Sequence, residues 1–218
     1  MTFSLVGRCP RTGQIGAAVA TSSIAVGARC TYAEAGVGAV LTQHRTDPRL
    51  GPRGLALLRS GCSARQTLDA LVASTPHAVW RQLAVLDAAG NTAAYSGEYT
   101  GPEMNAVFTQ DVCCIGNILA SAEVPPAMMR AFQPDPAAPL AERLVAALEA
   151  GLVAGGEHVP VRSAHLLVVE RESFPLVDLR ADWHDLPIAE LRALWRLYAP
   201  QSNDYLLRAL DPDDPSIK

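Results

Sequence analysis

Strands in this chain arrive in adjacent pairs joined by turn residues, and the helices between them also come in pairs, an order that few folds accept. Thr2 to Arg8 alternates, with Phe3 and Leu5 on one face and Ser4 and Val6 on the other. Cys9-Pro10-Arg11-Thr12-Gly13 supplies turn chemistry and returns the chain as a second strand, Ile15 to Thr21. Gln82 to Asp87 and Thr92 to Ser96 flank Ala88-Ala89-Gly90-Asn91 and predict another hairpin. Ala164 to Glu170 and Leu176 to Ala181 predict a further pair, with single strands at Gly36 to Leu41 and Val107 to Ile115. Between them, helices are predicted at Leu55 to Arg59, after Ser63 as N-cap, at Pro125 to Phe132, at Leu140 to Ala154 and at Pro187 to Tyr198. Asp47 through Gly54, punctuated by proline and glycine, reads as a loop, and Asp211 to Pro215 as an exposed, mobile tail. Single βα units would build a parallel sheet. This order predicts an α+β fold of mostly antiparallel sheets covered by helix pairs. No linker, repeat or shift in composition divides it, so residues 1–218 are read as a single domain.

Composition excludes several functions. With 49% hydrophobic and 18% charged residues the chain buries a sizeable core. A net charge of −4 provides no basic field for phosphates, so no nucleic-acid partner is expected. Lys218 is the single lysine, beside 17 arginines, which removes Schiff-base, phosphate-loop and general-base lysines from the interior. Cys9, Cys30, Cys62, Cys113 and Cys114 lack the two-residue spacing of a zinc or redox motif and suit reduced thiols in the cytoplasm. No signal segment opens the chain and no apolar run approaches the roughly 20 residues that span a bilayer, so no membrane association is expected. The five histidines show no ligand spacing, and Gly51 to Gly54 lacks the phosphate-loop pattern. Neither metal nor cofactor is therefore expected.

The start of the chain carries the chemistry. Thr2 follows Met1, and its small side chain permits removal of the methionine. The freed residue would hold a hydroxyl together with an α-amine of pKa about 7.7–8.0, a base able to take the hydroxyl proton. Neither lysine nor histidine is then needed. With Met1 in place, that nitrogen is a peptide amide instead.

Thr2-Phe3-Ser4-Leu5-Val6, the block from Thr42-Gln43 through Gly51-Pro52-Arg53-Gly54-Leu55, and Arg81-Gln82-Leu83-Ala84-Val85-Leu86-Asp87 resemble one family. Gly116-Asn117-Ile118-Leu119, Ser163-Ala164, and Val177-Asp178-Leu179-Arg180 followed by Pro187-Ile188-Ala189-Glu190-Leu191 extend the match. It is the prokaryotic domain-of-unknown-function 1028 family, grouped with the N-terminal nucleophile (Ntn) hydrolases. The resemblance implies a four-layer αββα sandwich with Thr2 on a central strand, attacking an amide carbonyl. Gly116 and Asn117 match a family block and could offer a backbone N–H and a side-chain amide to the oxyanion, or merely end a strand. Ser22 and Ser23 end the second strand near Thr2 and could bond its amine, while Gln43, His44 and Ser163 are placed on the substrate side.

Departures are visible too. Proteasome-like relatives place an aspartate after the second strand and a lysine farther on, where this chain has Thr21-Ser22-Ser23 and no internal lysine. Cys9 occupies a turn position where an acid is expected, and Gly155-Gly156-Glu157 through Ser163 keeps the family's glycine–acid segment only in part. The leading reading is a small-molecule amidohydrolase using Thr2. A catalytically silent ligand-binding or oligomeric scaffold is the alternative, and a thiol enzyme using Cys113 or Cys114 a weaker third. Apolar helices covering so short a chain predict a homo-oligomer, dimeric or higher.

Overall fold

A computed structural model describes residues 1–133 and 135–217. The opening hairpin has the boundaries read from the sequence: β1, Thr2–Arg8, pairs with β2, Ile15–Thr21, in a register that sets Arg8 opposite Ile15 and Phe3 opposite Ala20. The chain continues through α1, Gly27–Cys30, β3, Thr31–Glu34, and β4, Gly38–His44. Two helices follow, α2 at Leu50–Arg59 and α3 at Ala64–Ser74, before the hairpin of β5, Arg81–Asp87, and β6, Thr92–Ser96. A second hairpin joins β7, Met104–Thr109, to β8, Val112–Asn117. Then come α4, Val124–Phe132, α5, Leu140–Val153, β9, Ser163–Val169, and β10, Val177–Ala181. The last helices are α6, Pro187–Tyr198, and α7, Ser202–Leu210.

Among the described residues the strands form two antiparallel sheets, one ordered β10-β9-β2-β1-β8-β7 and the other β3-β4-β5-β6. Alternation along each strand assigns its residues to different cores. Phe3 and Leu5 face α4 and α5 with Met128, Phe132, Leu144 and Leu148. Val6 faces the other way, meeting Ala17, Ile115, Leu41 and Leu86 between the two sheets. Val40, Leu83 and Val85 on the outer face of the smaller sheet pack on Leu55, Leu58, Leu68 and Leu71 of α2 and α3. Cys113 and Cys114 fall on opposite faces and are fully buried, and burial lifts Cys113 to about 12 and Cys114 well above the ordinary thiol range. Neither presents a thiolate, which leaves the thiol-enzyme reading without support.

Three sequence-based expectations change. The segment read as a loop up to Gly54 is largely helix, because α2 starts at Leu50 and Pro52 falls in its first turn, where no intrahelical donor is needed. Its glycines serve close packing, since a Cβ on Gly51 would lie 2.1 Å from the Tyr32 ring and one on Gly54 would lie 2.9 Å from Val40. The single strand expected from Val107 to Ile115 is the hairpin β7–β8, turned at Asp111 with φ 67°. α7 lies where no helix was expected. Ser63 caps α3 as anticipated: its hydroxyl accepts from Gln66 N–H, and its own N–H donates to Gln66 Oε1, completing a capping box. No helix of the described residues is long and apolar enough to cross a membrane.

Candidate functional site

The space between the sheets is apolar at one end and polar at the other. Thr2 and Ser4 share the face of Val6 on β1, and Asn117 shares the face of Cys113 and Ile115 on β8. Gln43 extends the face of Leu41 on β4, and Gln82 that of Ala84 on β5. Register does the rest: Thr2 stands opposite Asn117, and Gln43 opposite Gln82. Thr2, Ser4, Gln43, Gln82 and Asn117 are all buried.

Hydrogen bonding orients every amide in this layer. Gln82 Nε2 lies 2.9 Å from the Gly116 carbonyl, which can only accept, so Gln82 must donate there and turn its Oε1 the other way. That oxygen then accepts from Gln43 Nε2 at 2.6 Å and from Asn117 Nδ2 at 2.9 Å. Gln43 Oε1 is left to accept from Ser4 Oγ at 2.6 Å. The chain of assignments ends at Asn117 Oδ1, a buried acceptor without a partner among the described residues. His44 and Ile118, which follow Gln43 and Asn117, both have positive φ, 72° and 49°. In a β-branched residue such as Ile118 that conformation is strained, a feature that concentrates at functional sites.

Around Thr2 the contacts converge on the preceding peptide. The Thr2 hydroxyl donates to the Met1 carbonyl and lies 3.4 Å from Thr21 Oγ1. Thr21 also donates to the Met1 carbonyl, at 2.7 Å. Beyond Thr21, the Ser22 N–H donates to Glu157 Oε2 at 2.9 Å, while Glu157 Oε1 is buried and unpartnered. Gly155 and Gly156, with φ 130° and 57°, turn the chain off the end of α5 and deliver Glu157 to a bridge with Leu119. Burial pushes the Glu157 carboxyl above the ordinary range, against hydrogen bonds from Ser22 and the charge of the chain's amine. Burial likewise lowers the Met1 ammonium, with Glu157 acting in the opposite direction.

The residues expected from the sequence thus divide. Asn117 and Gln43 meet through Gln82 in one buried network, which the Gly116 carbonyl anchors, while Thr2 stands opposite Asn117 in the strand register with its hydroxyl on the Met1 carbonyl instead. Gly116 lies inside β8 between partners on both sides, and a Cβ there would meet Leu119 at 2.8 Å. Ser22 lies outside that network, its backbone N–H bonded to Glu157. Ser163 donates to the Ser23 carbonyl at 2.6 Å and accepts from Val26 N–H, so its hydroxyl is spent on pinning the loop after β2. His44 bonds the Trp80 carbonyl through Nδ1 at 2.9 Å and stacks on the Trp80 ring, half-buried and with its pKa lowered by burial. Sequence reasoning passed over Ser4, Thr21, Gln82 and Glu157 as site residues. Thr21 was within reach of counting, because strands of equal length joined as a hairpin set its end opposite Thr2. Glu157, 155 positions from Thr2, was marked only by its place in the family's glycine–acid segment, with no periodic signal to set it beside Thr2.

A second polar chain runs farther along β9. His165 bridges two elements, with Nε2 donating to Asp178 at 2.9 Å and Nδ1 lying 2.6 Å from the Thr31 hydroxyl. Gly27 lets the ring pack closely, a Cβ there falling 2.6 Å from it. Among the described residues no group of three His, Cys, Asp or Glu could hold a metal ion.

Residues 2–191 match the model of a family of unknown function, DUF1028. The chain belongs to that family. The crystal structure of a DUF1028 protein from Silicibacter pomeroyi is 32% identical, with a TM-score of 0.84, over 91% of this chain and 89% of that one. Lower similarity is found to Anbu, described as an ancestral β-subunit, from Yersinia bercovieri (13% identity, TM-score 0.39, 91% and 95% covered). An Anbu mutant from Hyphomicrobium sp. strain MC1 is comparable at 13% identity and TM-score 0.40, with 93% and 97% covered. Neither bears on the chemistry of this DUF1028 protein. No curated protein matches it.

Proposed function

We propose that this DUF1028 protein is an Ntn-type amidohydrolase of αββα architecture that uses Thr2 as nucleophile on a small-molecule amide. The observation that carries the reading is the Thr2 hydroxyl set against the Met1 carbonyl at the polar end of the inter-sheet space, with Thr21 bonded to the same oxygen. Helices packed on the outer faces of both sheets and the strained backbone at Ile118 support it.

The chemistry begins after hydrolysis of the Met1–Thr2 bond. The Thr2 amine takes the hydroxyl proton as Oγ1 attacks the substrate carbonyl, and the proton passes to the departing amine as the C–N bond breaks. Water then cleaves the acyl ester and restores the hydroxyl. Thr21 donates to the developing oxyanion, in the place where it now holds the Met1 carbonyl. Asn117, opposite Thr2, offers its free Oδ1 to orient the amine, while Gly116, Gln82 and Gln43 hold Asn117 in place.

The test pairs intact-mass measurement with Thr2→Ala. Loss of Met1, Thr2-dependent turnover across an amide panel, and a fall of about a thousandfold or more in kcat for Thr2→Ala are expected. Retained Met1 with ligand binding indifferent to residue 2 would transfer the weight to a silent binding scaffold.

A further inference from the structure

Among the described residues two buried acceptors stand unpartnered at this end of the molecule, Asn117 Oδ1 and Glu157 Oε1. Asn117 faces Thr2 across a strand pair, and the proposed mechanism gives its Oδ1 to the amine of Thr2. Glu157 has no part in it. It is 7% exposed; Ser22 N–H donates to its Oε2 at 2.9 Å, and among the described residues its Oε1 has no hydrogen-bond partner. A buried carboxylate with one oxygen unsatisfied is destabilising unless something positive completes it. Among the described residues no arginine forms an ion pair with it, and Lys218 is the single lysine of the chain.

Met1 brings a positive charge to the neighbourhood of Glu157. Its carbonyl oxygen is gripped by Thr21, the residue before Ser22, and its ammonium lies within the electrostatic reach of Glu157. The methionyl carbonyl is therefore seated as an acyl carbonyl would be, against Thr2 and Thr21, with its amine in the field of the buried acid. Once the methionine has left, the same carbonyl position and the same carboxylate remain. In an amino-acid amide the amine is borne one carbon from the carbonyl, so anchoring the carbonyl confines the amine to a small volume.

We infer that Glu157 is a specificity residue that receives a free α-ammonium on the acyl half of the substrate, so that the site takes α-aminoacyl amides and discriminates against N-acylated ones. This rests on the reading of Thr2 as the nucleophile, yet binding can be measured without turnover. The proposed experiment uses Thr2→Ala protein shown by mass to lack Met1, titrated calorimetrically with methioninamide and with N-acetylmethioninamide. Methioninamide is expected to bind at least about tenfold more tightly, the range of one charge-assisted hydrogen bond. Adding Glu157→Gln should abolish the difference, and Glu157→Asp, which keeps the charge, should retain part of it. Equal affinities, a preference that survives Glu157→Gln, or no binding of either compound at millimolar concentration would overturn the inference. Turnover that is independent of Thr2 would instead strike the nucleophile reading and leave this binding result standing.

Discussion

Gln82 is the residue on which the buried polar layer turns. Its amide serves Gln43, Asn117, Ser96 and the Gly116 carbonyl at once. Gln82→Leu keeps the volume but strands donors on two amides and one carbonyl acceptor, and a loss of about 3 kcal/mol is expected in urea unfolding. Glu157 gives a pH signature of opposite sense to an ion-paired acid. Its folded pKa is raised, so its contribution to stability is fully present below the unfolded carboxylate value of about 4.3 and is lost as pH rises through the folded one. Glu157→Gln should therefore raise Tm at pH 8 and leave it nearly unchanged at pH 4. A Tm that falls equally at both would mean that the Ser22 bond, not the buried charge, dominates.

At the scale of elements, α2 shows how glycine can mislead. Asp47 to Gly54 carries the residues of a loop, but Gly51 and Gly54 lie on a helix face pressed against Tyr32 and Val40. Gly51→Ala is expected to cost about 2 kcal/mol by overpacking, although alanine favours the helix. In the double substitution with Tyr32→Ala the losses should fall short of additive, because the clash goes with the ring. The β7–β8 hairpin was missed for a related reason. Its turn depends on Asp111 with φ 67°, a conformation Asp tolerates but does not announce.

For the whole molecule, the weight of the fold lies between β1 and α6. α7 buries no residue, resting through Leu206 and Leu210 near Phe174 and Leu176 beside a cavity of about 110 Å³, and the family match ends at residue 191. Deleting residues 203–218 should shift Tm by no more than about 4 °C, the equivalent of roughly 1 kcal/mol in a domain of this size. A larger loss would show that α7 braces the Phe174 segment.

Order of elements, alternation and turn chemistry determined most of what was legible in advance. The hairpin of β1 and β2, the capped helix α3 and the helix α6 follow from periods of 2 and 3.6 and from local capping, which act within a few residues. Thr2 as the reactive candidate was legible for the same reason, since its chemistry depends only on its place behind Met1. What decided the surroundings of Thr2 was tertiary. Gln43, Gln82 and Asn117 meet because two sheets stack, and Glu157 arrives because a glycine pair reverses the chain after α5. Partners contributed by distant segments leave no periodic mark in either segment, so only the packed structure assigns them to one site.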